Sequence, residues 1–220
     1  MKDISELILN DADTWQDVQE WIGNARASVE VLETTRADGE ETLYRLQVTN
    51  RSTLGAIALE TGGLIVDHGW LCLLGAGHPR IYGSLRQNRQ HPLLEEGFVV
   101  AYDVVGGLFA LNTGRFDPQS AHVYYFAPDT LEWEDTEKGY TDFIDWVLHG
   151  DLDTYYASFR WNGWIDDLKS LEPGQGLAVY PFLWTAEGKD MERNAKRPVA
   201  IQEVWESQYT LRAQLQEQGK

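Results

Sequence analysis

The sequence predicts an α+β fold, an antiparallel sheet of short strands in the middle of the chain with helices flanking it at both ends. Apolar residues recur at helical spacing near the N-terminus, at Trp15, Val18, Ile22, Ala25 and Val29. From Leu64 to Glu134 short apolar runs alternate with turns rich in Gly, Asp and Pro, the pattern of a meander. Helical spacing returns after Thr141 and again after Ile201. With 220 residues and 43% apolar content, the chain is expected to form one domain over 1–220.

Taken in order, Ile4, Leu7 and Ile8 predict a short helix before Asn10 and Asp11 interrupt it. Thr14 and Asp17 supply a capping-box pattern for the amphipathic helix that runs to Val29. Asp38 and Gly39 predict a turn, and Glu40 to Val48 suits a helix better than a strand. Ser52 or Thr53 caps a helix over Leu54 to Leu59, which Gly62 and Gly63 end. Leu64–Val66 and Trp70–Leu74 read as strands joined by a bend at Asp67, His68 and Gly69. Gly75 to Gln90 lacks periodicity and reads as an exposed loop. Strands follow at Phe98–Tyr102, Leu108–Leu111, Val123–Phe126 and Leu131–Glu134, the last with Leu131 and Trp133 on one face. Thr141 caps a helix carrying Phe143, Ile144, Val147 and Leu148, with Gly150 as its stop. Asp151 to Leu171 reads as two helical pieces joined near Arg160 to Gly163. Leu177–Trp184 reads as an edge or bent strand, because Pro181 removes a ladder donor, and the last helix starts near Ile201 and frays into its final five residues.

Composition narrows function. The 35 Asp and Glu against 18 Lys and Arg give a net charge of −17, which repels phosphate backbones and anionic membranes. Nucleic acid and membrane are therefore not expected partners, and the acidic surplus either serves solubility alone or speeds encounter with a basic protein. The N-terminus lacks a basic n-region and a long apolar segment, and no apolar run approaches the roughly 20 residues of a membrane span, so a cytoplasmic setting is expected. Cys72 has no thiol companion and reads as a small buried hydrophobe.

Seven residues stand out as candidates for binding. Asp67 and His68 sit at a bend where two buried strands can present both side chains to a cleft, and Asp103 could join them as base or ligand; alternatively His68 bonds a backbone carbonyl there. Arg80 follows two glycines in GAGHPR, a stretch that lacks the Lys and Ser/Thr of a P-loop and reads first as a turn. Glu134, with Asp103, Glu132 and Asp135, could form a carboxylate pair across a cleft, or a solvated acidic face before the next helix. Arg160 and Trp161 lie in the aromatic cluster Tyr155 to Trp164, which makes either a stacking platform or a packed core. The five histidines have no zinc-type spacing, no serine sits in a nucleophile elbow, and no metal or cofactor is expected.

The stretches GFVVAYDVVGGLFALN, VYYFAPDTLEWED and GYTDFIDW, with ETGGLIVDHGWL and YPFLWTAEGKD, resemble a bacterial family designated DUF 2625, a domain of unknown function. The resemblance covers nearly the whole chain and implies no mechanism. The glycine-rich strand pair Val105–Leu111 and the strand Val123–Phe126 are also similar to those of the SUKH superfamily, many of whose members are immunity proteins that sequester a toxin domain. That likeness, over about half of the chain, implies a SUKH-like meander within a core at roughly 12–150, a C-terminal extension at 151–220, and a non-enzymatic protein-binding role with a basic toxin domain as partner. The loop Gly75–Gln90 and everything after Gly150 depart from it. Two readings compete with it. One is a small-molecule-binding protein or hydrolase using Asp67, His68 and Asp103; the other is self-association through the aromatic patch.

Overall fold

The structure, a computed structural model, describes residues 1–87 and 97–218. The end of the loop expected over Gly75–Gln90, from residue 88, His91 and the last two residues of the tail lie outside the described residues.

A seven-stranded antiparallel sheet forms the centre, and its spatial order is the chain order: β1 (Val29–Leu32), β2 (Gly63–Val66), β3 (Leu71–Leu74), β4 (Phe98–Asp103), β5 (Leu108–Leu111), β6 (Val123–Ala127) and β7 (Glu132–Lys138). Four helices precede or interrupt its start, α1 (Ile4–Leu7), α2 (Thr14–Gly23), α3 (Arg36–Leu46) and α4 (Thr53–Glu60), and α5 (Tyr140–His149) follows its end. The C-terminal part adds α6 (Leu152–Tyr155), α7 (Trp164–Leu168), a hairpin of β8 (Gln175–Tyr180) and β9 (Ala195–Ala200), and α8 (Ile201–Gln218). This is the α+β arrangement, antiparallel sheet and flanking helices, that the sequence predicts. Among the described residues no helix is long and apolar enough to cross a membrane.

Strand register assigns the two faces of the sheet, since side chains alternate along each strand. The pairs Leu64↔Leu73, Val66↔Leu71, Leu71↔Asp103, Ala101↔Phe109 and Phe109↔Tyr125 place those residues on one face. Phe143 of α5 packs there on Phe109 at 4.9 Å between ring centroids. The pairs Glu30↔Ile65, Ile65↔Cys72, Cys72↔Tyr102, Tyr102↔Leu108 and Leu108↔Phe126 define the other face. α8 covers its middle: Trp205 meets Tyr102 edge-on at 5.5 Å, and the Arg212 guanidinium lies over Phe126 at 5.6 Å. Among the described residues the β1–β3 part of this second face receives no helix of this kind, and a cleft lies over it.

Several boundaries differ from the sequence reading. α2 ends at Gly23, where the Asn24 amide and side chain both donate to Glu20 O, so Val29 opens β1 opposite Val66 instead of closing a helix. The N-cap of α2 is Asp13, and the Thr14 hydroxyl donates to Arg51 O rather than to its own helix. Asp38 and Gly39 lie inside α3, which Thr35 caps by accepting from the Asp38 amide at 3.1 Å. Leu131 precedes β7 in the left-handed region at φ 58 and is buried. α5 starts one residue before Thr141, which instead meets the Thr53 hydroxyl at 2.9 Å. The loop after Gly75 is not simply exposed, because Ile81, Ser84 and Leu85 are buried and Arg86 bonds Asp38 and Glu41. β8 stops at Tyr180, before Pro181, and β9 was not legible because AKRPVA carries two cations and a proline where a strand would show apolar alternation.

Gly39 shows why a helix tolerates a poor helix former. A Cβ there would lie 2.1 Å from the Leu59 carbonyl oxygen, a backbone atom that cannot swing aside. Helix propensity alone favours Gly39→Ala by about 1 kcal/mol, yet overpacking of this kind costs about 1–3 kcal/mol. Gly39→Ala is therefore expected to lower the urea midpoint, and a raised midpoint would show that α3 and α4 can separate freely.

Candidate functional site

The bend between β2 and β3 is built from two consecutive non-glycine residues in the left-handed region, Asp67 at φ 54 and His68 at φ 57. L-residues adopt this conformation at a cost of order 1 kcal/mol each, so the surroundings must hold it. The Asp67 amide donates to Ser28 O at 2.7 Å, and the His68 amide donates to the Ser28 hydroxyl at 2.9 Å. The Asp67 carboxylate accepts from Arg160, and both side chains are about nine-tenths buried, at 11% and 8% exposed. Arg160 also donates to the exposed Asp153 carboxylate and stacks on Trp164, Trp70 and Tyr156 at 4.3, 5.0 and 5.5 Å. The guanidinium thus ties the sheet bend to the segment joining α6 and α7. Trp161 belongs to the same packed core: its Nε1 donates to Asp167 at 2.6 Å, and the Lys196 ammonium sits over its ring at 4.7 Å.

Asp103 takes a different place. Its side chain is fully buried at the Asp103–Gly107 turn, where Oδ1 accepts from the Val105 and Gly107 amides at 3.1 and 2.8 Å and Oδ2 accepts from the Tyr125 hydroxyl at 2.7 Å. Gly107 is required here, because a Cβ would fall 2.1 Å from that carboxylate. Burial pushes the Asp103 carboxyl up to about 6, although its hydrogen bonds from Tyr125 and the two amides oppose the shift. The turn also receives the C-terminal part: Leu177 N donates to Val104 O at 2.8 Å, and the Gln208 side chain donates to Val105 O at 3.2 Å.

Asp67, His68 and Asp103 do not converge on one space. His68 is exposed and turns its ring edge to Trp164 at 6.1 Å, while Asp103 occupies the face of the sheet opposite Cys72 and Tyr102. Glu134 is exposed on β7, opposite Tyr125 in register, and accepts from the Thr130 hydroxyl at 3.3 Å. The structure therefore brings together Asp67 with Arg160, and places His68 with Arg80 at the rim of one cleft.

That cleft, of about 470 Å³, lies over the uncovered β1–β3 part of the second face. Ile65, Cys72 and Tyr102 form its floor, and Leu168, Leu171 and Pro173 form the opposing wall. At the rim Arg80 makes a two-pronged pair with Glu30, one prong at 2.9 Å, and this guanidinium holds the Glu30 carboxyl below its ordinary range. Burial pushes the Cys72 thiol up to about 11, so it stays protonated and presents a soft apolar surface rather than a nucleophile. A second hollow of about 240 Å³ continues from it past Ser28 and His68 towards Asp67, Asp153 and Trp164. Among the described residues no group of three His, Cys, Asp or Glu is placed to hold a metal ion. Sequence reasoning missed Glu30, Tyr102 and Lys169 at this cleft. The only available signal was Glu30 itself, a carboxylate between Val29 and Val31 in what proves to be a strand.

The chain matches the family described as "Protein of unknown function DUF2625" over residues 4–204. It is 37% identical over 214 residues to the uncharacterised protein YbfG of Escherichia coli strain K12, covering 96% of this chain and 98% of that one. An uncharacterised protein of Haemophilus influenzae is 31% identical over 215 residues, covering 95% and 94%. No solved structure matches the chain.

Two outcomes follow from this geometry. Removing Arg160 strands a buried carboxylate, so Arg160→Ala is expected to cost about 3–5 kcal/mol in urea denaturation, and Asp67→Asn combined with Arg160→Met should recover most of it. For Asp103 the folded-state pKa is raised above 3.8, so the folded protein binds the proton more tightly, and this group's contribution to stability is lost as pH rises through about 6. Asp103→Asn keeps an oxygen for both amides, and its stability relative to the parent is expected to rise by roughly 2 kcal/mol between about pH 4 and pH 7. A difference that stays flat across this range would mean that Asp103 is not raised.

Proposed function

The chain belongs to the DUF2625 family, and on that footing we propose that it is a non-enzymatic binding protein of the bacterial cytosol that takes a basic protein partner, in the manner of an immunity protein engaging a toxin domain. The observation that carries the reading is the terminal strand β7. Glu132, Glu134, Asp135 and Glu137 are all exposed on it, at the edge of the sheet of a chain with net charge −17. Such a field accelerates encounter with a cationic surface and fixes its orientation. The inner polar groups support the same reading, since Asp67, Arg160 and Asp103 are engaged in holding a bend and a turn rather than facing a common space. The likeness of the central strands to immunity proteins supplies the finer expectation of a toxin domain.

Affinity capture from the native host tests it, using the parent protein beside a variant with Glu132→Gln, Glu134→Gln, Asp135→Asn and Glu137→Gln. A basic protein should be retained by the parent, released by salt, and bound at least about tenfold more weakly by the variant. Capture of the same proteins by both, or of none, would remove the proposal.

A further inference from the structure

We infer that the β1–β3 cleft is a binding site for a small zwitterion, a free amino acid or dipeptide with an apolar side chain. The site is distinct from β7 and does not depend on the partner reading.

Size and lining come first. About 470 Å³ is within the range of small-molecule sites, and the floor of Ile65, Cys72 and Tyr102 faces Leu168 and Leu171 across the gap, which suits an aliphatic or aromatic side chain. The charges around it then select the ligand. Arg80 and Lys169 supply two positive groups and Glu30 and Glu172 supply two negative ones, so the rim sums to zero while the whole chain stands at −17. A purely anionic ligand meets the repulsion of the whole molecule on approach, and a purely cationic one finds stronger attraction elsewhere on the acidic surface. A ligand bearing both signs at short separation is neutral at long range and meets both signs at the rim.

The rim charges are also available, in contrast to Arg160. The Arg80 and Glu30 side chains are 45% and 53% exposed, and Lys169 with its neighbour Asp166 is 66% and 80% exposed. Pairs so open to solvent hold each other weakly, so a ligand carboxylate can take Arg80 and an ammonium can take Glu30 with little opposing cost. The two prongs that Arg80 offers Glu30 have the geometry that a ligand carboxylate would use. His68 and Ser28 border the same space and can bond a peptide group.

Calorimetry on the full chain tests the site with L-leucine, L-phenylalanine and glycyl-L-leucine, beside N-acetyl-L-leucine and L-leucine amide, which each lack one charge. At least one zwitterion should bind with a dissociation constant below about 1 mM, and loss of either charge should weaken it about tenfold or more. Arg80→Gln and Glu30→Gln remove only an exposed pair and leave the thermal transition in place, and each should weaken the zwitterion by a similar factor. Absence of binding by all three zwitterions, equal binding of the blocked forms, or unchanged affinity in both variants would overturn the assignment.

Discussion

The pairing of Arg160 with Asp67 is the constraint on which the rest of the molecule depends. Desolvating a guanidinium and a carboxylate together is costly, and their mutual attraction repays it only when geometry is good and the remaining surfaces are filled. Here three aromatic rings, Trp70, Tyr156 and Trp164, surround the cation and exclude water from it. The pair thereby performs two tasks. It holds consecutive left-handed residues at the β2–β3 bend, and it fixes the segment between α6 and α7 against the sheet from 93 positions away in sequence. The wall of the cleft, Leu168 to Gln175, follows directly from that anchored segment.

A second anchor lies at the Asp103 turn, and the two together account for the shape of the second face. β8 and α8 dock at the turn through Val104 and Val105, so their cover falls over β4 to β6. The chain that follows Arg160 lines the cleft opposite β1 to β3. Between these attachments the strip of β1 to β3 stays open, and its floor is apolar while its rim is charged. Charge is used in two ways in this chain: inside, it fixes backbone geometry, and outside, on β7 and at the cleft rim, it forms pairs that are open to solvent, such as Arg80 with Glu30 and His122 with Asp135.

Much of this was legible in the sequence. Turn chemistry located β2 through β6 nearly to the residue, because Gly, Asp and Pro interrupt runs too short to be helices. Helical spacing located α5 and α8, and Ser52 marked α4. The failures have physical causes. Gly39 reads as a turn residue because propensity is local, whereas its role, the close approach to Leu59, is tertiary. β1 is hidden in the sequence because its first residue, Val29, also fits the preceding helical spacing. Of the candidate residues, Arg160 and Trp161 lie in a packed aromatic core, one of the two readings that their aromatic context offers, whereas the arrival of Asp67 in that core is a finding of the structure alone. No rule of spacing could pair positions 67 and 160, or reveal that Asp103 faces away from His68.

The strictly sequential strand order has a kinetic meaning. Every ladder of the large sheet joins strands that are neighbours along the chain, so each closes a modest loop and the sheet can grow outward as synthesis proceeds. The contacts that lay the C-terminal part onto the sheet, Arg160 to Asp67 and Gln202 to Tyr82, belong to the last quarter or so of the chain. Until that part emerges from the ribosome, the strip carrying Cys72, Tyr102 and Leu108 is bare apolar surface. The nascent protein is thus most prone to aggregate just before its final sixty or so residues arrive.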